Sequence, residues 1–437
     1  MNNATLVAVP AGGGTAVVGS VREDLARYLA SGGDSALRHS PEAALAAIRA
    51  AELRGRGGAG FPVAAKIEAV RAADGPRVLV ANGEEGEPAS VKDRYLMRIR
   101  PHLVLEGMLL AGHLAGADRA VLYVSDAPSA RSVRRALAER AAAIFDHGPK
   151  RQAPTEVEAF DHRQAPAERV AGVEIFDAEP GFVSGEETAL VRAIDGGPAK
   201  PTAKPPRPFE QGVAGRPTLV LNVESLARMA LLTRFRRSGL LVTLSGSGAP
   251  PVLTEVPHGV RLAELAARFG YDACRGFLAG GFSGGLLPPS AGGTPLTHEA
   301  MRAIGSTLGC GALVAIGHDD CPVAAAADVL AFFDRANAGQ CGSCVKGTSA
   351  MAGVAEALRA GTAVAEQVDR LEQWAGRLRG RGACGTLDAA CLTADSLLRH
   401  FPDEIRHHLA ESCARCVRLP VGADTRFRVH PPEPEEG

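Results

Sequence analysis

The stretch Leu53-Arg54-Gly55-Arg56-Gly57-Gly58-Ala59-Gly60-Phe61-Pro62 places four glycines within six positions, next to two arginines and ahead of Lys66. Glycine adopts positive-φ conformations at little steric cost and lets backbone N–H groups come close to a ligand. The helix expected from about Pro62 would direct its N-terminus, the positive end of its dipole, towards the same loop. The stretch therefore predicts a phosphate-binding loop. The alternative is a solvated turn, since no clear strand runs directly into the loop.

Composition restricts the class of protein. The 437 residues, 46% of them hydrophobic, suffice for roughly two to four domains with ordinary buried cores. A formal net charge of −1 gives no sign of a nucleic-acid-binding protein. Met1–Ser20 lacks the basic region of a secretory signal, and no apolar run is long enough to cross a bilayer. We expect a cytoplasmic protein.

The cysteines are confined to the second part of the chain. All nine follow residue 273: Cys274, Cys310, Cys321, Cys341, Cys344, Cys384, Cys391, Cys413 and Cys416. A disulfide scaffold would distribute its cysteines more widely. This one-sided distribution predicts a thiolate site in the C-terminal part of the chain.

Short apolar runs alternate with helical patterns as far as about Arg236. Ser40-Pro41-Glu42 has the composition of a helix start, with a capping serine, proline at the first position and an acidic first turn. The predicted strands are Arg77–Ala81, Arg119–Val124, Val173–Phe176 and Thr218–Ser225. Alternation of this kind predicts a doubly wound α/β domain with a parallel sheet.

Polar residues follow two of these elements. Asn82-Gly83-Glu84-Glu85-Gly86-Glu87 comes directly after a predicted strand, where open α/β sheets bind their ligands. A solvated acidic turn is the alternative. Gly181–Thr188 leads Glu186 and Glu187 into a helix, although acidic residues also suit a helix N-terminus on dipole grounds alone.

Several separate motifs together carry a resemblance to a known family. The segments are Arg54–Lys66, Asn82–Arg94, Gly181–Leu190, Lys204–Pro206 and Asn222–Glu224. In this order and spacing, the chain from Ser40 to Leu409 resembles the flavin-bearing, NADH-oxidising F subunit of respiratory complex I. It also resembles the relatives of that subunit in soluble NAD-linked hydrogenases and formate dehydrogenases.

The resemblance implies a set of binding residues. FMN would be contacted by Gly55, Arg56, Gly57, Gly58, Lys66, Asn82, Glu84, Gly185, Glu186 and Asn222. The nicotinamide nucleotide would be contacted by Phe61, Glu87, Glu187 and Lys204. Because the flavin carries the redox chemistry, the protein has to position two stacked rings, and no catalytic acid, base or nucleophile is expected.

The resemblance also implies an activity and its partners. We expect an NAD(P)H dehydrogenase subunit that passes electrons to a one-electron acceptor such as a ferredoxin, or to a membrane-associated quinone-reductase complex. The chain lacks the two-iron domain of the family, so a separate small iron–sulfur protein is an expected partner, and association with a membrane would be peripheral. The alternative is a non-catalytic electron-relay or assembly subunit with the same fold and weak or no nicotinamide binding.

Five segments are expected along the chain. Residues 1–39 form a lead-in, and residues 40–237 form a Rossmann-like α/β domain that binds FMN and the nicotinamide nucleotide. Residues 238–300 resemble a small ubiquitin-like β-grasp domain. Residues 301–410 resemble the helical bundle that carries the iron–sulfur site in the family, and a cysteine-containing tail follows at 411–437.

The iron–sulfur motif departs from the family pattern. The family holds a [4Fe–4S] cluster with Cys-x-x-Cys-x-x-Cys and one distant cysteine. Cys341, Cys344 and Cys384 fit three of these positions, and we assign the missing first position to Ala338. A cubane normally has one thiolate on each iron, and we expect the tail cysteines Cys413-x-x-Cys416 to supply the fourth ligand, through Cys413.

Two alternatives to that assignment remain open. One is a zinc site made from the two Cys-x-x-Cys pairs, with His407 or His408 as a further candidate ligand. The other is that the tail cysteines are free and the cluster has three ligands or is absent. The remaining cysteines are expected to be small buried hydrophobic residues: Cys274, Cys310, Cys321 and Cys391.

The nicotinamide pocket departs from the family as well. Arg207 stands after Lys204-Pro205-Pro206, where phenylalanine is usual, and only 4% of the chain is aromatic. Loss of stacking partners, worth about 1 kcal/mol each, would weaken NADH binding. A guanidinium at this position would suit the 2′-phosphate of NADPH, so both NAD(H) and NADP(H) remain candidate substrates.

Overall fold

A four-stranded parallel sheet carries the predicted ligand-binding motifs. The structure is a computed structural model that describes residues 6–8, 18–147, 172–232, 234–235, 239–417 and 427–431. The predicted tail at 411–437 therefore lies partly outside the described residues. The chain forms two units: one comprises residues 11–86, 92–239 and 431–437, and the other comprises residues 1–10, 87–91 and 240–430.

The first unit contains the parallel sheet, in the order β4-β3-β2-β5. Its strands are β2 (Arg77–Asn82), β3 (Ala117–Val124), β4 (Val173–Asp177) and β5 (Thr218–Asn222). Its helices are α1 (Leu25–Ala30), α2 (Pro41–Ala50), α3 (Val63–Arg71), α4 (Lys92–Ile99), α5 (Pro101–Ala115), α6 (Ala127–His147), α7 (Glu187–Ile194) and α8 (Val223–Leu232). The predicted mixed α/β fold with a parallel sheet is confirmed.

Burial explains the uninterrupted apolar runs of these strands. Every residue of β5 is buried, as are Val78, Leu79, Val80 and Ala81 of β2, which is the pattern of strands covered on both faces. The strand order reverses beside β2, because β3 lies on one side of it and β5 on the other. In open α/β sheets such a reversal opens a crevice at the carboxyl ends of the strands, where ligands bind.

Two contacts hold helices of this unit in place. A Cβ atom at Gly107 of α5 would lie 2.1 Å from the carbonyl oxygen of Leu226 in α8, so only glycine permits this close approach. Tyr28, within the predicted lead-in, is buried and hydrogen-bonds the carboxylate of Glu106 in α5. The segment that begins at Val18 thus packs with the α/β unit, although we drew the domain boundary at residue 40.

The second unit contains a six-stranded mixed sheet and the C-terminal helices. The sheet order is β1-β7-β6-β10-β8-β9. Its strands are β1 (Leu6–Ala8), β6 (Leu240–Gly246), β7 (Val252–Val256), β8 (Cys274–Ala279), β9 (Leu286–Leu287) and β10 (Ala312–Gly317). Its helices are α9 (Leu262–Arg268), α10 (His298–Ala303), α11 (Pro322–Ala336), α12 (Gly342–Arg359), α13 (Ala365–Arg377), α14 (Thr386–His400), α15 (Pro402–Ala410) and α16 (Ala414–Val417).

One strand of this sheet lies beyond the boundary that we placed at residue 300. β10 pairs in parallel with β6 and antiparallel with β8, so it is an inner strand of the sheet. It is a short apolar run, fully buried, whose register with β6 and β8 depends on residues that are distant in sequence. The segment predicted as helical therefore contributes a strand, which lies between α10 and the helices that begin at Pro322.

Candidate functional site

The glycine-rich loop closes on itself immediately before α3. The amide of Gly55 donates to the carbonyl of Phe61 at 2.9 Å, and the amide of Val63 donates to Leu53 at 2.9 Å. Gly58 and Gly60 have φ angles of 111° and 64°, in the left-handed region that favours glycine. Among the described residues, the amides of 57–60 have no hydrogen-bond acceptor. Successive N–H groups without internal partners can bind an anion.

The sheet brings two predicted FMN residues side by side. Asn82 at the end of β2 and Asn222 at the end of β5 are register partners in the parallel pair. The side-chain amide of Asn82 donates to the carbonyl of Gly185 at 2.8 Å. A Cβ atom on Gly57 would lie 3.4 Å from Cβ of Asn222. The glycine loop, the two asparagines and Gly185 thus meet at the carboxyl ends of β2 and β5, where the strand order reverses.

A network of charged side chains connects four further predicted residues. Lys66 Nζ lies 3.1 Å from Glu187 Oε2, and Lys204 Nζ lies 3.2 Å from Glu187 Oε1 and 2.5 Å from Glu186 Oε1. Burial raises the pKa of Glu187, but the two lysines outweigh burial, and the pKa is held below its usual value. Glu186 also caps α7 by accepting from the amides of Thr188 and Ala189.

Glu84 is the buried carboxyl group of this site. Its Oε1 accepts from the amide of Gly181 at 3.2 Å, whereas its Oε2 has no hydrogen-bond partner among the described residues. Burial raises the pKa of Glu84 above its usual value. The hydroxyl of Tyr123, at the end of β3, is likewise buried without a hydrogen-bond partner in the described part of the chain. Unsatisfied buried polar atoms of this kind are expected where a ligand completes a site.

Arg56, a predicted FMN residue, forms hydrogen bonds to other described parts of the same unit, unlike the glycines at 57 and 58. Its backbone amide donates to Ser225 Oγ at 2.9 Å and its guanidinium donates to the carbonyl of Gly239 at 3.2 Å. Burial lowers the pKa of Arg56 to about 10. The backbone amide thus holds the loop against α8, and the side chain holds it against Gly239.

Sequence reasoning missed the ionic cluster beneath Asn222. Lys92 Nζ lies 2.7 Å from Asp93 Oδ1 and 3.4 Å from Glu224 Oε2, and the three side chains are buried. Asp93 Oδ2 accepts from the Asn222 side-chain amide at 2.7 Å. The cluster fixes the orientation of Asn222. The adjacent charges Lys92-Asp93-Arg94 were a visible signal, to which we attached no role.

The predicted nicotinamide residues divide into two sets. In the first unit, Phe61 is 56% exposed, whereas Glu187 and Lys204 belong to the ionic network. The Arg207 guanidinium lies 3.9 Å from Glu187. Glu87 belongs to the second unit, where its carboxylate accepts from the amide of Phe282 at 3.0 Å and from Ala89 at 3.2 Å.

Three of the predicted cluster ligands lie together in the second unit. Cys341 occupies the N-cap position of α12, Cys344 lies in the first turn of that helix, and Cys384 precedes α14. Burial, together with the neighbouring thiols of Cys384 and Cys341, raises the pKa of Cys344 to about 11. The amide of Ala383 donates to Cys341 Sγ at 3.5 Å. Three thiols in one place fit three irons of a cubane cluster.

The position missing from the cysteine run has two possible registers. We assigned it to Ala338, which precedes α12 and lies outside any helix. If Cys341 and Cys344 are instead the first two cysteines of the run, the missing third position is Gly347, one turn beyond Cys344 on the same helix. Because residues three apart share a helix face, only a side chain at 347 would continue the face that carries Cys344.

Cys413, predicted as the fourth cluster ligand, lies in a different group. Its Sγ, those of Cys321 and Cys416 and a ring nitrogen of His408 all lie within 4.8 Å of one another. Cys321 is buried, as we predicted, but it was expected only to fill space. The group does not contain Cys341, Cys344 or Cys384. The two Cys-x-x-Cys pairs therefore do not form the common zinc site that we considered.

Among the described residues, no helix combines the length and the apolar character that crossing a membrane requires.

Comparisons with known proteins agree with this arrangement. Residues 48–230 match the family described as "Nuo51 FMN-binding domain", and residues 324–408 match the "NADH-ubiquinone oxidoreductase-F iron-sulfur binding region". The chain is 29% identical to the NADH-quinone oxidoreductase F subunit numbered 2 of Rhizobium meliloti, over 89% of this chain and 94% of that protein. It is 31% identical to the NADH-quinone oxidoreductase F subunit of Rickettsia akari, over 83% and 87% of the two chains.

The structural neighbours include a crystal structure of an NAD+-reducing [NiFe]-hydrogenase in the H2-reduced state. That chain is 30% identical with a TM-score of 0.75, and the similarity covers 89% of this chain and 67% of the hydrogenase chain. The matched FMN-binding segment contains the glycine loop, both asparagines and the ionic network. The protein belongs to the family of NADH-quinone oxidoreductase F subunits, which are flavoprotein oxidoreductases with an FMN-binding domain and an iron–sulfur region.

Proposed function

We propose that the chain uses FMN and an iron–sulfur cluster to pass electrons between NAD(P)H and a one-electron acceptor. The observation that carries this proposal is the set of amides at 57–60, which have no acceptor among the described residues, beside the register pair Asn82 and Asn222. A phosphate group and a planar ring system attached to it would satisfy both parts of this site.

The chain's own residues would hold FMN in two ways. The amides of Gly57 and Gly58 and the ammonium of Lys66 would bind its phosphate, since charge-assisted hydrogen bonds are the stronger ones. Asn82, Glu84, Gly185, Glu186 and Asn222 would surround the ring system. The Glu84 carboxyl, whose Oε2 has no hydrogen-bond partner among the described residues, would offer a polar contact to the ring system. When bound, FMN supplies the change between two-electron and one-electron chemistry.

The nicotinamide nucleotide would bind beside the charged network. Phe61 offers an exposed ring for stacking, and Lys204 and Glu187 offer polar contacts to the ribose and phosphates, with Glu87 as a further candidate. Arg207, 57% exposed, could pair with a 2′-phosphate. NADPH is therefore a substrate to test alongside NADH.

The electrons would leave through a cluster held by Cys341, Cys344 and Cys384. Three thiolates leave one iron of a [4Fe–4S] cluster without a cysteine from this set, so another donor would complete it. We further propose that the mixed-sheet unit contains the β-grasp module and that the helices from Pro322 form the family's helical bundle. A separate small iron–sulfur protein or ferredoxin would bind the chain in the cytoplasm. A membrane-associated reductase complex is the other candidate partner.

Anaerobic spectroscopy of the purified protein tests the proposal. We expect release of FMN on denaturation, detected by mass spectrometry, and bleaching of the bound flavin by NADH or NADPH. Bleaching by reduced ferredoxin but by neither nucleotide would favour the electron-relay subunit instead. Absence of any riboflavin derivative after reconstitution with FMN would refute both functions.

A further inference from the structure

A second sulfur-rich site lies apart from the three predicted cluster cysteines. It consists of Cys321, His408, Cys413 and Cys416, whose four donor atoms lie within 4.8 Å of one another. Cys321, His408 and Cys413 are 0%, 1% and 3% exposed. Four soft or borderline donors that converge in a buried place form the usual donor set of a metal site.

We propose that these four residues bind one structural zinc ion. The donor set, three thiolates and one imidazole, is one of the standard sets for closed tetrahedral zinc sites. The local sequence His408-x4-Cys413-x2-Cys416 supplies three of the ligands from a short segment. Cys321 supplies the fourth from the position just before α11.

The hydrogen bonds of His408 orient it as a ligand. Its Nδ1 lies 2.8 Å from the carbonyl oxygen of Leu358, which can only accept, so Nδ1 carries the proton. In the neutral ring Nε2 is then the nitrogen with a free lone pair, and it faces Cys321 Sγ at 3.2 Å and Cys416 Sγ at 3.9 Å. A second-sphere carbonyl that fixes the tautomer in this way is typical of zinc-binding histidines.

The spacing of the donors fits a single ion. Zinc–sulfur and zinc–nitrogen bonds of about 2.3 and 2.0 Å at tetrahedral angles place N and S atoms roughly 3.6 Å apart. The two measured N···S distances lie on either side of that value. In a cubane cluster each thiolate binds a different iron and the ligands are spread more widely. The geometry therefore favours one mononuclear ion.

Metal binding also balances the charges of this buried group. Each thiol loses its proton to solvent as the zinc–sulfur bond forms, and three thiolates with one divalent ion leave a net charge of −1. The N-terminus of α11, a helix of 15 residues, lies directly beside Cys321 and stabilises a thiolate there. No redox change is involved.

Three of the four proposed ligands lie outside the matched iron–sulfur region, and His408 is its last residue. That match spans residues 324–408, so Cys321, Cys413 and Cys416 lie outside it. The ligands join the start of α11 to the end of α15 and to the turn at Cys413, while His408 is bonded to the last part of α12. The zinc ion would thus fasten the C-terminal segment to the helices that precede it.

Metal analysis of the full-length protein, purified anaerobically without added zinc, tests the proposal. We expect about one zinc ion per chain and at least a tenfold loss of zinc in Cys413→Ser and Cys416→Ser, with iron content unchanged. Cys341→Ser should show the opposite pattern, with iron lost and zinc retained. Cys274→Ser, outside both groups, should retain both metals.

Cobalt substitution in the wild-type protein tests the site without relying on variants, which could fail to fold. After zinc is exchanged for Co2+, three thiolates and one imidazole should give strong thiolate-to-cobalt charge-transfer absorption with the pattern of a tetrahedral ion. Absence of zinc and of cobalt binding in the wild type would overturn the proposal. Loss of iron in Cys413→Ser would overturn it too, since Cys413 would then belong to the cluster.

Discussion

The ammonium of Lys66 lies 3.1 Å from Oε2 of Glu187, so the helix after the glycine loop is tied to the helix that begins at Glu187. Both residues lie in the segment that matches the FMN-binding domain. The ion pair holds the Lys66 ammonium in place within that segment. We propose that this ammonium contributes to binding the FMN phosphate.

Removal of this charge should weaken FMN binding. A hydrogen bond to a charged group contributes about 1.5–3 kcal/mol, so Lys66→Met should raise the dissociation constant of FMN roughly ten- to hundredfold. Flavin fluorescence titration of the FMN-free protein measures the effect. Lys200→Met, which removes an exposed lysine of the same unit, should leave the affinity unchanged, and an equal loss in both variants would contradict the assignment.

Two neighbouring glycines should respond differently to alanine. Gly58 has a φ of 111°, so Gly58→Ala forces strain of about 1–3 kcal/mol and should lower the melting temperature of the FMN-free protein. Gly57 does not have a positive φ, and its new Cβ would make only van der Waals contact with Asn222 at 3.4 Å. Gly57→Ala should therefore keep the melting temperature and weaken FMN binding alone. Equal melting temperatures for the two variants would refute this explanation of the loop.

The raised pKa of Glu84 predicts a pH-dependent stability. Burial raises this pKa above its ordinary value of 4.5, so the folded protein holds the proton more tightly than the unfolded chain does. This contribution to the free energy of unfolding is fully present below pH 4.5 and is lost as the pH rises through the folded pKa. Glu84→Gln, which stays neutral, should gain stability over the wild type as the pH rises.

Urea denaturation of the FMN-free protein at a series of pH values measures the Glu84 effect. The matched control is Glu179→Gln, which makes the same substitution at an exposed position. A constant difference between wild type and Glu84→Gln across the series would show that the carboxyl titrates normally.

The register of the cysteine run can be tested by restoring the missing thiol. Gly347 lies on the face of α12 that carries Cys344, but a Cβ there would lie 2.7 Å from Leu378 Cδ1. We therefore expect Gly347→Cys combined with Leu378→Ala to raise the iron retained in air above that of Leu378→Ala alone. Ala338→Cys should leave iron retention unchanged. Greater retention in Ala338→Cys would instead support our first assignment.

The sequence predicted the parallel sheet and the motifs at its end because both depend on local patterns. Four apolar runs marked the strands, and polar residues after β2 and β5 marked their carboxyl ends. The reversal of strand order beside β2, which makes Asn82 and Asn222 neighbours, came from pairing between distant segments. Local patterns cannot specify such pairing.

The grouping of the cysteines was harder to predict for the same reason. Cys341 and Cys344 are close in sequence, but Cys321 meets His408 only because the ends of α11 and α15 lie together. From the sequence, a solitary cysteine next to an apolar helix is expected to be a core residue. For Cys321 this expectation is right about burial, but it does not reveal which side chains lie around the thiol. β10 was overlooked in a similar way, since its apolar run could equally precede a helix.

The short strand β1 limits which fragments of the protein can be produced in a stable form. It pairs through Leu6–Ala8 with β7, far along the chain, so the second unit needs residues from both termini of the sequence. A fragment that begins at Leu240 would leave the backbone donors and acceptors of β7 exposed along one edge. Such an edge recruits strands from other molecules, and fragments without the N-terminus should therefore aggregate more readily than the whole chain.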